Sequence, residues 1–156
     1  MKYFDVIEAS YLATDIALTE RQAADEPGPL KIDGSPPTVT AQYVNERAYF
    51  VLLVAQFEDL VNNAVNAQVD QGRGSADWRT RELWGAVIPR TRRIQDIPFK
   101  LRLALLIDRQ RVEYRDACGL YDARNLIAHG VLDGPLSIQT AINQLRAVAS
   151  LIQEVP

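Results

Sequence analysis

Residues 41–69, AQYVNERAYFVLLVAQFEDLVNNAVNAQV, contain neither proline nor glycine. Apolar side chains recur at Val44, Ala48, Val51, Leu52, Ala55, Leu60 and Val65, close to the period of an amphipathic helix. The spacing predicts the longest helix of the chain and the centre of its core. Gly72, Gly74 and Ser75 are expected to end it. On the N-terminal side, Asp25 to Thr40 reads DEPGPLKIDGSPPTVT, whose four prolines and two glycines exclude a lasting helix or central strand. Before that loop, Tyr3 to Ala24 carries Phe4, Ile7, Tyr11, Ile16 and Leu18 at roughly helical intervals, which predicts another helix.

Downstream of the long helix, Asp77 is placed to cap a short helix bearing Trp78, Leu83 and Trp84. Pro89 and Pro98 bracket an irregular stretch, after which FKLRLALLIDR resumes a helical period through Leu101, Leu105 and Leu106. Val112 to His129 continues with Tyr114, Cys118, Tyr121, Leu126 and Ile127 and stops at Gly130, a residue suited to the left-handed position after a helix. Asp133, Gly134 and Pro135 make a turn, and Ser137 can cap a last helix striped by Ile138, Ile142, Leu145, Val148 and Ile152. No alternating strand pattern, internal repeat or low-complexity tract interrupts this order. The expected fold is all-α: an antiparallel bundle of four main helices with one or two short extra ones.

A chain of 156 residues is the size of one domain and can bury a core without disulfides or metals. One domain over 1–156 is therefore expected, with an N-terminal helix and Pro-rich loop over 1–40 and the core bundle over 41–154. With 47% hydrophobic and 24% charged residues, the composition excludes a disordered chain. No apolar run reaches the length of a membrane span, and Asp5 and Glu8 fall where a signal peptide needs an apolar core. The single cysteine, Cys118, lacks an internal partner, which fits a reducing compartment and a cytoplasmic location.

The formal net charge of -3 argues against a protein that binds nucleic acid through bulk charge alone. Its distribution is uneven, however. Gln71 to His129 holds 12 Lys or Arg against 7 Asp or Glu, a balance of +5, which leaves -8 on the remainder. Arginines such as Arg79, Arg81, Arg90, Arg92, Arg93 and Arg102 are either phosphate contacts or the ordinary charge of solvated helix faces. Trp78 and Trp84, beside Arg79 and Arg81, either stack on bases or anchor a short helix.

The only histidine, His129, lies in Arg124-Asn125-Leu126-Ile127-Ala128-His129. An Arg-x4-His segment with a polar residue directly after the arginine, late in a small helical bundle, resembles the HEPN superfamily of ribonucleases and nucleotide-binding bundles. The resemblance covers roughly residues 40 to 154 and extends to Phe57-Glu58 in the long helix. It implies a homodimer whose motifs meet in a cleft at the subunit interface, RNA as substrate, and a toxin or defence role with a cognate antitoxin. It also implies a role for Glu58 in anchoring Arg124, with Asp59 as its rival. Some HEPN toxins carry a tyrosine two residues after the histidine that a partner nucleotidyltransferase modifies; here Val131 stands there, so that control is not expected.

The residue types suit RNA cleavage without a metal or other cofactor. An imidazole, whose unperturbed pKa is about 6.5, can accept a ribose 2′-hydroxyl proton or donate to a departing 5′-oxygen. A guanidinium holds the phosphate through paired donors and stabilises the charge that grows during attack. Asn125 can orient either group. Positions five apart on a regular helix differ by about 140°, so Arg124 and His129 converge only if the helix loosens or two chains cooperate. Metal catalysis is not expected, because the lone His and Cys stand eleven residues apart and lack clustered carboxylates. Tyr114 and Tyr121 are expected as core or cleft-wall residues, with base stacking as the other reading. The alternative for the whole chain is a non-catalytic HEPN-like module that dimerises or binds nucleotides or RNA.

Overall fold

Of the sixteen-residue C-terminal repeat of apolar positions, every member is buried: Ile138, Ile142, Leu145, Val148 and Ile152 line one side of a helix that runs Ile138–Gln153. Burial of such side chains stabilises by about 1.5 to 3 kcal/mol each. Ser137 caps that helix, its Oγ accepting from the backbone N–H of Thr140 at 3.3 Å. The computed structural model describes residues 1–25, 40–88, 93–132 and 136–153. In chain order its helices are α1 (Phe4–Asp25), α2 (Ala41–Arg73), α3 (Trp78–Val87), a 3₁₀ turn (Ile94–Asp96), α4 (Phe99–Ala104), α5 (Val112–Ala128) and α6 (Ile138–Gln153). The described residues are thus all-helical, with four long helices and two short ones. None is long and apolar enough to cross a membrane. The Pro-rich stretch and the Asp133-Gly134-Pro135 turn lie almost wholly outside the described residues.

Two compact units divide the chain, and α2, α5 and α6 each contribute to both. The first comprises Met1–Gln56 and Leu120–Asn143, the second Phe57–Gly119 and Gln144–Pro156.

In the first unit, α1 runs antiparallel to the start of α2. Gln42 Nε2 donates to Thr19 Oγ1 at 3.1 Å, Thr14 Oγ1 and Tyr49 Oη lie 3.2 Å apart, and the Tyr3 N–H reaches Gln56 Oε1 at 3.2 Å. Tyr11 meets Tyr49 edge to face at 5.8 Å. Thr40 starts α2, its Oγ1 accepting from the Tyr43 N–H at 3.1 Å. Phe4 is buried and Ile7, Tyr11 and Leu18 half-buried, as expected, but Ile16 is 57% exposed. Residue 16 lies nine positions from Ile7, which is half a turn of azimuth, so it cannot share that face.

α2 is the longest helix, as expected, yet of its expected stripe only Val65 is fully buried. Phe50, Leu53, Val54, Phe57, Val61, Val65 and Val69 are buried, whereas Ala48 and Leu52 are exposed. The FVLLV run at residues 50–54 is apolar all round one turn, so it fits two phases equally, and Phe50 and Phe57 decide between them by bulk.

The second unit refines two further expectations. α2 ends at Arg73, beside Gly74 and Ser75 as expected, and Gly72 stands in its last turn, where a Cβ would sit 2.1 Å from Trp84 Cδ1, so only glycine lets the indole close on the helix. Arg73 then donates to the Ile88 carbonyl beyond the end of α3, tying the two helices together. α4 stops at Ala104, where bonds from Leu105 to Arg102 and Leu106 to Leu103 tighten the chain to a 3₁₀ turn. Its buried residues are Phe99, Arg102 and Leu103, followed by Leu106 and Ile107, while Leu101 faces outward. Phe99 packs edge to face on Phe57 at 6.2 Å.

Candidate active site

The last turn of α5 ends in a Schellman arrangement. The Gly130 N–H donates to Ile127 O at 2.9 Å and the Val131 N–H to Leu126 O at 2.9 Å, with Gly130 at φ 85°. An L-residue strains at that φ, so glycine is what lets the chain turn there. His129 consequently occupies the C-cap position, its N–H shared between Asn125 O and Leu126 O at 3.1 and 3.2 Å, and its imidazole is exposed. α5 keeps regular helix up to that point, so the loosening that the motif was expected to use is confined to the cap residue itself.

One turn of α2 fixes the chain just beyond the motif. Arg47 Nε donates to the Leu132 carbonyl at 2.8 Å, and the Tyr43 hydroxyl donates to the same oxygen. The guanidinium carbon of Arg47 lies 3.2 Å from the Tyr43 ring centroid, and the side chain is 3% exposed. Glu46, on the same turn, accepts from the Ile138 N–H at 3.2 Å and so serves the start of α6. Tyr43, Glu46 and Arg47 were not singled out from the sequence. The available signal was two adjacent opposite charges, Glu46-Arg47, the only charged residues between 41 and 57.

The structure brings Arg124 and Asn125 together. Arg124 Nη1 donates to Asn125 Oδ1 at 2.9 Å, and the guanidinium carbon stands 5.6 Å from the Tyr121 ring centroid, within cation–π range. Both residues are half-buried. Tyr121 thus acts as a wall under the arginine. Tyr114, in the other unit, donates to the Lys100 carbonyl at 3.1 Å; burial first, then its hydrogen bond with Cys118, pushes its phenol above the ordinary value.

Glu58 stands in the second unit. Its Oε1 accepts from Arg102 Nη2 at 2.8 Å, while Arg102 Nε donates to Ile97 O at 2.9 Å and Nη1 to Asn62 Oδ1. Asp59 is exposed. Arg102 is 3% exposed, so it is a core residue and not one of the candidate phosphate contacts. Arg93 and Arg111 pair with Asp96 and Glu113 at 3.1 and 3.2 Å, Arg79 and Arg81 are exposed on α3, and Arg90 and Arg92 lie outside the described residues. The tryptophans divide the two expected roles: Trp84 anchors α3 at Gly72, whereas Trp78 is 59% exposed with the Arg79 guanidinium 5.3 Å from its ring. Among the described residues no three His, Cys, Asp or Glu side chains gather as a metal site would need.

No family model, curated protein or solved structure matches the chain.

Proposed function

We propose that the chain is a metal-independent endoribonuclease of the HEPN type, acting as a homodimer in a toxin or defence role and meeting RNA, and a cognate antitoxin, in the cytoplasm. The observation that carries this reading is the end of α5. There an exposed imidazole sits at the C-cap, one turn beyond an arginine–asparagine pair whose planes are set by a hydrogen bond and by Tyr121.

The chemistry follows from those groups. Arg124 binds a phosphate oxygen of the scissile linkage and opposes the charge that builds on it. Asn125 accepts from the guanidinium through Oδ1, so its amide nitrogen is turned away and can donate to a second phosphate oxygen. The ribose 2′-oxygen attacks phosphorus and loses its proton to an imidazole; the 5′-oxygen leaves and gains one. The products are a 2′,3′-cyclic phosphate and a 5′-hydroxyl. A single imidazole per chain supplies one proton transfer at a time, and two-fold pairing supplies the second histidine that a concerted step uses. The 140° offset between positions 124 and 129 on one helix points the same way.

Incubation of the purified chain with varied RNAs in excess chelator tests the reading. Cleavage leaving cyclic phosphate ends, abolished in Arg124→Ala and His129→Ala with circular dichroism unchanged, is the expected result. RNA bound but never cut by the wild-type chain would replace this reading with that of a non-catalytic RNA-binding module.

A further inference from the structure

α3 carries two tryptophans, and the fold uses one of them. Trp84 closes on Gly72, and Arg73 ties the chain just beyond α3 back to α2, so α3 is held without Trp78. Trp78 stands in the first turn of α3, 59% exposed, and among the described residues its ring meets one cation, the Arg79 guanidinium 5.3 Å from a ring centroid. On a helix at about 100° per residue, Arg79 lies to one side of Trp78 and Arg81 to the other. Both are exposed. The Arg79 guanidinium makes no ion pair among the described residues. That of Arg81 is steadied by donation from Nη1 to the Ser75 and Ala76 carbonyls at 2.7 and 2.9 Å, which leaves its other nitrogens for an incoming acceptor. The neighbouring carboxylate, Asp77, is turned back on α3: it accepts from the Thr80 hydroxyl and N–H at 2.7 and 3.1 Å and from the Arg79 N–H at 3.3 Å. Glu82 lies one turn farther along. Gly85, two turns beyond Trp78 on the same side, has only open space where a Cβ would stand, so the helix surface beyond the ring is clear.

We propose that Trp78, Arg79 and Arg81 form a stacking site for single-stranded RNA, in which one unpaired base lies on the indole and the flanking phosphates meet the two guanidiniums. A flat ring between two cations matches a nucleotide in both its parts: every base has a π-face, and every base is followed by a charge. An acidic peptide would meet the cations but bring no flat partner for the ring. A paired base hides its face in the stack, so the site selects an unpaired strand. This inference rests on the ribonuclease reading for the choice of RNA and uses neither Arg124 nor His129.

Anisotropy of a dye-labelled 2′-O-methyl oligouridylate, titrated with the full chain, tests it, because that strand lacks the hydroxyl an endoribonuclease would use. Binding is expected to quench the emission of Trp78 and leave that of Trp84. Trp78→Ala is expected to raise the dissociation constant about ten- to a hundredfold, with Trp84 emission reporting that α3 stays in place, and Trp78→Tyr, which keeps a flat ring, to recover most of the affinity. Arg79→Ala and Arg81→Ala should each lower the slope of log affinity against log salt by about 0.7. A wild-type chain that does not bind the strand, a Trp78→Ala chain that binds it as tightly, salt slopes unmoved by both arginine changes, or the strand held equally well when paired with oligoadenylate would each overturn the site. On unmodified RNA, cleavage by Trp78→Ala at unchanged KM would remove this site and leave the nuclease, whereas binding through Trp78 without cleavage would remove the nuclease and leave this site.

Discussion

Arg102, in the unit built on the second half of α2, gives its donors to Glu58, Asn62 and the Ile97 carbonyl and is almost wholly enclosed. Arg124, in the unit that contains the end of α5, is half-buried and held at one edge by Asn125 with Tyr121 beneath it. Both are arginines on helices and both carry a planar fork of donors. The difference lies in what surrounds the fork. Around Arg102 the protein itself supplies acceptors in three directions, so the cation welds α2 to α4 and the turn before it. Around Arg124 the neighbours Asn125 and Tyr121 fix orientation, and an exposed histidine follows one turn later.

Exchanging the two arginines for alanine should separate these roles most widely. Arg124→Ala is expected to lower RNA cleavage by about a hundred- to a thousandfold, with the urea midpoint almost unmoved. Arg102→Ala is expected to do the reverse, removing about 3 kcal/mol of unfolding free energy while the fraction still folded keeps its activity, because Glu58 and Asn62 lose the cation they enclose. Glu58→Gln sharpens the contrast further. A stability loss of about 1 to 2 kcal/mol with turnover unchanged would assign Glu58 to Arg102, whereas a fall in turnover at equal stability would return it to the catalytic set.

A smaller effect should distinguish local geometry from stability. Gly130→Ala meets open space but forces an L-residue to φ 85°, a cost of about 1 kcal/mol. Cleavage is expected to fall by more than that loss would account for, since the change displaces the cap on which His129 sits; equal losses would mean the turn only stabilises. The smallest effect concerns Asp77, which caps α3 in the other unit. The Thr80 hydroxyl, then the Thr80 N–H, holds its carboxyl below the ordinary value, so its contribution is present above that ordinary value and lost as pH falls through the lowered one. Asp77→Asn should therefore flatten the decline in the urea midpoint between neutral pH and about pH 2.

Much of this architecture was legible where chemistry is local. Gly130 as the left-handed stop, Asp77 and Ser137 as caps, and the α6 stripe all follow from rules that act within one or two turns, and the structure contains each. The face of α2 was not legible, because residues 50–54 are apolar in every direction and only neighbours break the tie. Gly72 carries a second role that spacing does not show: besides standing at the end of α2 it leaves room for a distant ring, that of Trp84. At the candidate site the Arg124–Asn125 contact lay between adjacent residues. The clamp on Leu132 by Tyr43 and Arg47 spans 89 and 85 positions, a separation at which spacing carries no signal.

The unequal settings of the two tryptophans make the molecule its own optical reporter. Trp84, closed on Gly72, should fluoresce toward the blue and resist a soluble quencher until α3 leaves α2, while Trp78, open to water, should be quenched at once. A Trp78→Phe chain would then carry a single emitter whose colour follows the parting of that hairpin, without any attached dye.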